Sequence, residues 1–474
     1  MLETHEETRA LDLMKDIAIN MDLPIFSWSV ATGMQRIDLS MDPQVFLKDP
    51  TKALEHINSA KIEAVYVLLD FHPYLEDAVI VRNLKEVAMA MHKQRSRLVL
   101  ISHRLEVPPE IRKLAVDYEL SMPDDTALQE IIRDEARTYA QQNANSRVSS
   151  DKKIFEQLVN NLRGLSFRDA RTLAHRAIFD DGAITESDLP EVMQAKYELL
   201  SNDGLLSFEL ETSSFSDLAG MGRLKTWLHQ REKFFHQKVD MPGMDAPKGI
   251  LLLGVQGCGK SVAAKAVAGV WGVPLLRLDF GNIYNKYIGE SESNIREALK
   301  TAEIMSPCVL WIDELEKGIS ISEHDSGTSQ RILGTLLTWM AENKNPVFIV
   351  ATSNDIQQLP PELIRKGRLD EVFFVDLPSE EVRQAILHIH AKKRELDTAT
   401  LDMEQLAQLT DGFSGSELEQ LVVSAIYSAH ADDGVVDMDM MLGEIRQTQP
   451  LSVLMGEKIA ALRSWAEGRT VPVD

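Results

Sequence analysis

Eight residues near the middle of the chain, GVQGCGKS at 254–261, have the types and spacing that bind a phosphate chain. The three glycines leave backbone N–H groups open to phosphate oxygens, Lys260 can reach the β- and γ-phosphates, and the Ser261 hydroxyl can bind Mg²⁺. The loop joins an apolar, strand-like stretch (249–253) to a helix-like stretch (262–271) whose positive end would face the anion. The sequence thus predicts an ATP and Mg²⁺ site. The residues expected to contact ATP here are Gly254, Gln256, Gly257, Cys258, Gly259, Lys260, Ser261 and Val262.

Two further stretches add groups that could act on water. CVLWIDELE ends an apolar run in Asp313, which can hold the Mg²⁺ water shell, and Glu314, which can orient and deprotonate the attacking water. FIVATSND brings Asn354 to a strand end, where its amide can hold the nucleophilic water. Taken alone, the acidic pair fits helix capping equally well and Asn354 fits a turn. Their order after the phosphate-binding loop favours catalysis.

Apolar runs alternate with helix-like segments through this part of the chain, a pattern typical of an α/β fold with a parallel sheet. The strand candidates are GILLL, VPLLRLDF, PCVLWID, PVFIVATS and EVFFVDL. Helical candidates between them include ESNIREALKTAEIM and QRILGTLLTWMAEN.

Composition narrows the class of protein. The 474 residues are 44% apolar and 26% charged, the balance of an ordinary soluble protein, and no apolar run is long enough to span a membrane. The acidic, polar N-terminus does not resemble a signal peptide, so we expect a cytoplasmic protein, or a stromal one if the gene is plastid-encoded. The net charge of −23 disfavours generic binding to nucleic acid.

The chain divides by composition near 200–215, where an acidic, Ser- and Gly-rich stretch precedes a new periodic segment. We predict an N-terminal α/β domain (1–200), a large α/β ATPase subdomain (201–378), and a helical lid with a C-terminal helix (379–474). Cys258 and Cys308 lie at opposite ends of parallel strands, too far apart for a disulfide. Cys258 is either a redox-sensitive thiol or simply a small residue that fits.

Residues 212–445 resemble an AAA ATPase module of the protein-remodelling branch. The motifs that carry this resemblance, in chain order, are FSDLAGM (215–221), the phosphate-binding loop, KYIGESESNIREA (286–298), WIDELE (311–316), ATSND (351–355), PPELIRKGRLDE (360–371) and GFSGSELEQLV (412–422). They correspond to the family's adenine-contacting stretch, P-loop, pore-loop segment, Walker B box, sensor 1, arginine-finger stretch and lid helix.

The resemblance implies further roles. Arg365 and Arg368 would act as arginine fingers on the γ-phosphate of a neighbouring subunit, which implies a ring, normally a homo-hexamer. His390 would lie near the ribose and adenine, unless it is a half-buried lid histidine. The other residues expected near the nucleotide are Asp217, Leu218, Ala219, Gly415 and Ser416.

Three features depart from the family pattern. Glu371 replaces an arginine that often follows the finger pair, Ser416 stands where alanine is usual, and the Walker B box reads DELE where DEID is commoner. The arginine network is therefore expected to be weaker than usual.

An aromatic residue, an apolar residue and a glycine, Tyr287-Ile288-Gly289, resemble the pore loop with which AAA rings grip an extended polypeptide. The alternative is that Tyr287 packs in the core or against a neighbouring subunit.

The first part of the chain has no G-x-x-x-x-G-K pattern but repeats the same plan. EAVYVLLDFH ends an apolar run in Asp70, SRLVLISHR ends another in polar residues, and GLSFRDARTLAHRAI resembles a lid helix. Residues 1–200 are either a degenerate AAA-like domain or an unrelated α/β domain. The layout of the whole chain, with its tail from Pro450, resembles divergent two-domain AAA proteins of plastid and cyanobacterial genomes.

These features together predict an Mg-ATP hydrolase whose ring moves a macromolecular client, and the family resemblance implies that this client is a protein. The main alternative is a nucleotide-dependent regulatory or assembly scaffold with slow hydrolysis. A P-loop kinase is disfavoured because the sequence has a finger stretch and a pore segment where a kinase needs an acceptor pocket. A nucleic-acid motor is disfavoured by the acidic charge.

Overall fold

The fold is described from a computed structural model of the chain. It describes residues 1–474 except 5, 40–41, 61, 92–93, 104, 144–147, 186, 201–204, 210–212, 237–245, 281–290, 320–325, 357–358, 366 and 432–434. The chain divides into two units: Met1–Ala127 with Leu165–Arg171, and Leu128–Gly164 with Thr172–Asp474.

The first unit contains a five-stranded sheet in the order β1-β5-β4-β2-β3. All neighbouring strands are parallel except β2 and β3, which form an antiparallel hairpin. Its elements are β1 (Leu2–Glu3), α1 (Glu7–Asn20), β2 (Ile25–Ser29), β3 (Gly33–Arg36), α2 (Pro50–Ser59), β4 (Val65–Leu69), α3 (Ala78–Met91) and β5 (Arg97–Ser102). Apolar clusters cover both faces of this sheet, as expected where parallel strands are buried on both sides.

Helices connect the five-stranded sheet to the next sheet along the chain. They are α4 (Asp125–Gln142), α5 (Lys152–Leu162), α6 (Phe167–Phe179) and α7 (Asp188–Leu200), with the short parallel pair β6 (Ser149–Ser150) and β7 (Ala183–Ile184) between them. Asp151 caps α5 by accepting a hydrogen bond from the backbone N–H of Lys153.

The second unit is built on a seven-stranded sheet in the order β14-β13-β9-β12-β11-β10-β8. Its strands are β8 (Leu206–Glu209), β9 (Gly249–Gly254), β10 (Leu275–Leu278), β11 (Cys308–Ile312), β12 (Val347–Ser353), β13 (Glu371–Val375) and β14 (Val471–Pro472). Among these described strands, β8 is antiparallel to its neighbour β10 and the other neighbours are parallel. Every residue of β9, β11 and β12 is buried, which is why these strands read as unbroken apolar runs.

Helices cover both faces of this sheet and bury two large apolar clusters against it. They are α8 (Gly222–Phe235), α9 (Lys260–Trp271), α10 (Ser291–Ile304), α11 (Leu315–Ile319) and α12 (Ser326–Glu342). The helices that follow β13 have an apolar core of their own and form the lid. These are α13 (Glu380–Lys393), α14 (Met403–Leu409), α15 (Gly415–Ala431) and α16 (Met438–Gln447), followed along the chain by α17 (Leu451–Leu454) and α18 (Gly456–Ala466).

The predicted α/β class is confirmed, including the α/β character of the N-terminal part, the parallel sheet and the helical lid. All five predicted strands are present, each within a few residues of its predicted bounds. The edge strands β8 and β14 were not predicted. Whether residues 1–200 descend from an AAA-like domain stays a prediction.

Candidate functional site

The phosphate-binding loop leaves β9 at Gly254 and enters α9 at Lys260. A Cβ atom at Gly254 would lie 1.9 Å from the carbonyl oxygen of Val375, so no other residue fits there. Gly257 has a φ of +77°, and a Cβ atom there would lie 2.2 Å from the Ser416 hydroxyl oxygen. The loop therefore keeps its backbone bare where it faces the lid.

Lys260 is buried inside this loop. Its ammonium donates hydrogen bonds to the carbonyl oxygens of Gly254, at 2.9 Å, and Val255, at 2.8 Å. Burial lowers the pKa of Lys260 to about 8, against an opposing effect of nearby Cys258 and the acidic residues. The ammonium is thus held, still charged at neutral pH, beside the backbone that is expected to receive phosphate.

Cys258 is also buried in the loop, and its thiol is free. Burial raises the pKa of this thiol to about 11, so the reactive thiolate is scarce at neutral pH. This favours the interpretation of Cys258 as a small residue that fits over a redox-sensitive thiol.

Asp313 follows β11 and is held by two neighbours. Its Oδ1 accepts a hydrogen bond from the Thr352 hydroxyl at 2.7 Å, and its Oδ2 lies 2.9 Å from Nη2 of Arg277. Arg277 lies on β10 and also contacts the Trp311 ring, 4.8 Å from its centroid. Arg277 was not predicted from the sequence. The signal was a lone arginine in the apolar run VPLLRLDF, because a half-buried guanidinium needs an acidic partner.

Glu314 and Asn354 meet at the ends of β11 and β12. The amide Nδ2 of Asn354 lies 3.4 Å from Oε1 of Glu314, at the long end of hydrogen bonding. The carboxylate of buried Glu316 accepts a hydrogen bond from the backbone N–H of Asn354 at 3.0 Å, which fixes the end of β12 to the residues that follow β11. The Glu at 316, in place of the commoner Asp, therefore has a structural role. Glu314 itself has a positive φ of +47° and forms an ion pair with Lys317.

The lid approaches the loop through the start of α15. The backbone N–H of Ser416 donates to the carbonyl oxygen of Gly257 at 2.9 Å, and a Cβ atom at Gly415 would lie 3.0 Å from that same oxygen. Ser414 and Glu417 form a capping box around this helix start. Glycine at 415 thus permits the close approach of lid and loop.

His390, on α13, lies at the lid side of the site. Its Nδ1 is 3.2 Å from Nη1 of Arg394 and 3.5 Å from Oε1 of Glu419. Burial lowers the pKa of His390, opposed by Glu419 and reinforced by Arg394, so the imidazole is neutral at physiological pH. A neutral imidazole can accept as well as donate a hydrogen bond.

The stretch predicted to contact adenine forms a short turn, Phe215–Asp217, ahead of α8. The Asp217 carboxylate is engaged with the backbone N–H and hydroxyl of Ser214, and these hydrogen bonds lower the pKa of Asp217. Leu218 is buried, and its carbonyl oxygen accepts a hydrogen bond from the Lys225 ammonium. Asp217 therefore shapes the turn through its side chain.

One cavity of about 690 Å³ collects most of these predicted residues. Those that line it are Asp217, Leu218, Ala219, Gln256, Gly257, Cys258, Gly259, Lys260, Ser261, Val262, Asp313, Glu314, Asn354, His390, Gly415 and Ser416. Gly254 lies at the end of β9 behind the loop and does not line it. Pro472, Val473 and Asp474 line the cavity as well and were not predicted.

The two predicted arginine fingers do not line this cavity. Arg365 is exposed, and Arg368 is half-buried with its Nη1 donating to the carbonyl oxygen of Glu362. Tyr287, with the rest of its pore-loop segment up to residue 290, lies outside the described residues.

The cavity fits a magnesium nucleotide. Its volume is within the range of small-ligand pockets, and the bare loop leads into the N-terminus of α9, which favours an anion. The Ser261 hydroxyl and the Asp313 carboxylate offer the oxygen ligands that Mg²⁺ prefers. The apolar side chains of Leu218, Met221 and Ile386 line the same space and suit a base.

The sequence is similar over nearly its whole length to known proteins. It is 34% identical over 480 residues to the "Uncharacterized AAA domain-containing protein ycf46" of Pyropia yezoensis, a match that covers 99% of this chain and 95% of that protein. The chain belongs to the AAA ATPase family. The protein of the same name from Trieres chinensis is also 34% identical, over 98% of this chain and 93% of that protein.

Family models match successive segments of this AAA ATPase. The model described as "ATPase family associated with various cellular activities (AAA)" matches residues 250–377, and the AAA+ lid domain matches 400–438. The N-terminal and second domains of a SpoVK-like AAA ATPase match residues 1–120 and 126–203. The resemblance proposed from the sequence is therefore confirmed.

Other relatives are similar to less than half of the chain. The proteasome-activating nucleotidase of Aeropyrum pernix is 36% identical over 215 residues, covering 44% of this chain and 52% of that protein. No described helix is both long and apolar enough to cross a membrane.

Proposed function

We propose that this AAA ATPase hydrolyses Mg-ATP as a ring, normally a homo-hexamer, and uses hydrolysis to remodel a protein client. One observation carries the proposal: Lys260, Asp313, Glu314 and Asn354 line one cavity, whereas Arg365 is exposed and lies outside it. The described residues that line this cavity include Glu314 and Asn354 but no arginine, which is what a site shared between two subunits requires.

Each residue has one task in this proposal. Lys260 and the loop N–H groups bind the β- and γ-phosphates, and Ser261 and Asp313 hold Mg²⁺. Bound Mg²⁺ supplies positive charge that neutralises the phosphate oxygens. Glu314 accepts a proton from the attacking water while Asn354 orients that water, and Arg365 and Arg368 of a neighbouring copy stabilise the developing charge.

ATPase activity measured against protein concentration tests the shared site. Specific activity should rise as the chain assembles, because an isolated subunit lacks the arginine. Specific activity that stays constant while sedimentation shows assembly would contradict the shared site. Lys260→Ala should abolish ATP binding, whereas Glu314→Gln should bind ATP and lose turnover, since the acid acts only in the transition state. Equal ATP affinity in Lys260→Ala and wild type would refute the assignment of the loop.

The alternative is a regulatory scaffold in which slow hydrolysis times the release of a partner. Glu314→Gln should trap ATP and client together, so proteins retained by it with ATP, and released with ADP, are candidates for remodelling assays. If wild type remodels a retained protein, the remodelling function is supported. If it binds and releases that protein without remodelling it, the scaffold is supported.

Tyr287 is proposed to grip the client, as the pore-loop resemblance implies. Tyr287→Ala should leave basal ATPase activity and ring size within about twofold of wild type while abolishing client-stimulated turnover. A large fall in basal activity or loss of the oligomer would show that Tyr287 is structural. Unchanged client processing would favour the scaffold.

A further inference from the structure

Three residues with metal-binding side chains lie at one edge of the N-terminal sheet. Asp70 and His72 follow β4, and His103 follows β5. The two strands are parallel neighbours, paired Leu69 to Ile101, so their carboxyl ends meet at the same edge. In open α/β sheets, ligands bind outside the carboxyl ends of the strands.

The potential ligand atoms are already clustered. One ligand atom from each of Asp70, His72 and His103 lies within 4.8 Å of the other two. The two imidazole rings are 4.6 Å apart between centroids and nearly perpendicular. Ligand bonds of about 2.0 to 2.2 Å would need these atoms to close by roughly an ångström. His72 is half-buried while Asp70 and His103 are exposed, so side-chain rotation can supply that movement.

A buried hydroxyl orients two of the three side chains. Ser102, 2% exposed, lies with its Oγ 3.2 Å from Oδ1 of Asp70 and 2.5 Å from Nδ1 of His72. If the hydroxyl proton goes to the carboxylate, Nδ1 of His72 is the donor to Oγ, which leaves the lone pair on Nε2. This is the way in which outer hydrogen bonds set the tautomer of a metal-binding histidine.

The backbone also holds Asp70 in an uncommon conformation. Its φ is +46°, a region that aspartate tolerates better than most residues, and its N–H donates to the carbonyl oxygen of Ile101 at 2.9 Å. The turn is therefore fixed to β5, and Asp70 and His72 lie beyond the end of β4.

We propose that Asp70, His72 and His103 bind a divalent transition-metal ion of the Zn²⁺ class. Two imidazoles and one carboxylate are a donor set that suits Zn²⁺ and not Mg²⁺ or Ca²⁺, which prefer oxygen ligands alone. Three protein ligands leave a fourth position for water or an exchangeable ligand. The site uses residues of the first unit only and does not depend on the proposed ATPase mechanism.

Titration of the full-length, metal-depleted chain with Zn²⁺ alone, without nucleotide or Mg²⁺, tests the site by calorimetry. Wild type should bind one equivalent at this site. His103→Ala and His72→Ala should bind that equivalent at least about tenfold more weakly, and Ser102→Ala about tenfold more weakly through loss of orientation. The matched control is His56→Ala, an exposed histidine on α2 in the same unit, which should bind as wild type does.

Co²⁺ gives a second readout, because its visible absorption reports the ligand geometry. The spectrum of the Co²⁺-loaded wild type should be lost in His103→Ala and kept in His56→Ala. Thermal unfolding checks that each variant is folded. If His72→Ala is unfolded, metal binding is measured instead in His103→Gln and Asp70→Asn, which change exposed side chains. The proposal is overturned if wild type binds no Zn²⁺, or if these variants bind Zn²⁺ and Co²⁺ as His56→Ala does, since the other histidines would then account for the binding.

Discussion

The backbone N–H of Ser416 donates a hydrogen bond to the carbonyl oxygen of Gly257 over 2.9 Å, so the lid and the phosphate-binding loop of one chain are directly joined. The bond comes from the first turn of α15, where N–H groups have no partner inside the helix. The lid therefore contacts the loop through a backbone N–H that makes no hydrogen bond within its own helix.

Ser416→Pro should weaken ATP binding about fivefold, because it removes this N–H and about 1 kcal/mol of lid docking while proline is tolerated in a first helical turn. Ser416→Ala is the matched control: it keeps the N–H and introduces the residue usual in the family. Fluorescent-nucleotide titration measures both. Equal affinities for the two variants would mean that the bond does not help to hold the nucleotide.

ATP affinity should fall as pH rises above about 8. Free Lys260 has its pKa lowered to about 8 by burial, and phosphate oxygens beside the ammonium would raise it, so binding above pH 8 must take up a proton. Above that pH, ATP affinity should drop by up to about tenfold per pH unit. Below the pKa of Lys260 in the nucleotide-free protein, this group should not change the affinity. Calorimetry between pH 7.5 and about 9.5 measures this.

The control for this pH effect is Lys260→Arg, whose guanidinium stays charged throughout. Its affinity is expected to be weaker than that of wild type but level across the same range. A wild-type affinity that is equally level would show that Lys260 is charged in the free protein at every pH tested.

Mixing two inactive variants should restore activity if the site is shared. Arg365→Ala lacks the finger and Glu314→Gln lacks the acid, but in a mixed ring an intact acid can lie beside an intact arginine. ATPase assays on the mixture and on each variant alone measure the recovery. If differential tagging shows that mixed rings form and ATPase activity is still not recovered, Arg365 does not act in the site of the neighbouring subunit.

Lys196 should make stability depend on pH. Its fully buried ammonium donates to the carbonyl oxygens of Arg163, at 2.6 Å, and Ile304, at 2.9 Å, and burial lowers its pKa to about 8. Between pH 8 and the unfolded value near 10.5, the unfolded chain binds the extra proton, so the free energy of unfolding rises with pH. Through this group the free energy of unfolding should rise by about 3 kcal/mol. Titration of Lys196 should not change it below pH 8 or above about 10.5.

Urea unfolding of wild type and Lys196→Met at several pH values isolates this contribution. Burial raises the pKa of neighbouring Cys308 to about 12, which lowers stability at high pH in both proteins and largely cancels in the difference. A wild-type minus variant difference that does not change between pH 8 and about 10.5 would refute the lowered pKa.

The central strands and the phosphate site could be predicted because their signals are local. β9 and β12 are buried on both faces and read as largely apolar runs, and the G-x-x-x-x-G-K-S spacing is visible in the sequence, although the contacts that require Gly254 and Gly257 come from Val375 and Ser416. The edge strand β14 could not be predicted, since Val471–Pro472 is a strand only through its pairing with β13. The same pairing brings Pro472, Val473 and Asp474 to the cavity, so their contribution to its lining could not be predicted either.

The ion pair between Arg277 and Asp313 shows a second limit. Each residue was visible in the sequence, but their contact depends on β10 and β11 being neighbours in parallel register, with Arg277 opposite Trp311. The Asp70, His72 and His103 cluster is similar, because the sequence indicated polar strand ends and only the pairing of β4 with β5 brings them together. The arginine roles depend on a neighbouring copy and stay predictions.

The order of the seven-stranded sheet has a consequence for how the protein folds. Gly249–Gly254 pairs on one side with residues 349–353 and on the other with residues 371–375, so the strand that carries the phosphate loop has both partners far along the chain. Such long loops must close before any pairing stabilises the strand, which makes folding slow. The nascent chain exposes an apolar strand until residue 375 has been made, and ATP cannot assist folding before then. The yield of folding during synthesis should therefore depend more on chaperones than on nucleotide.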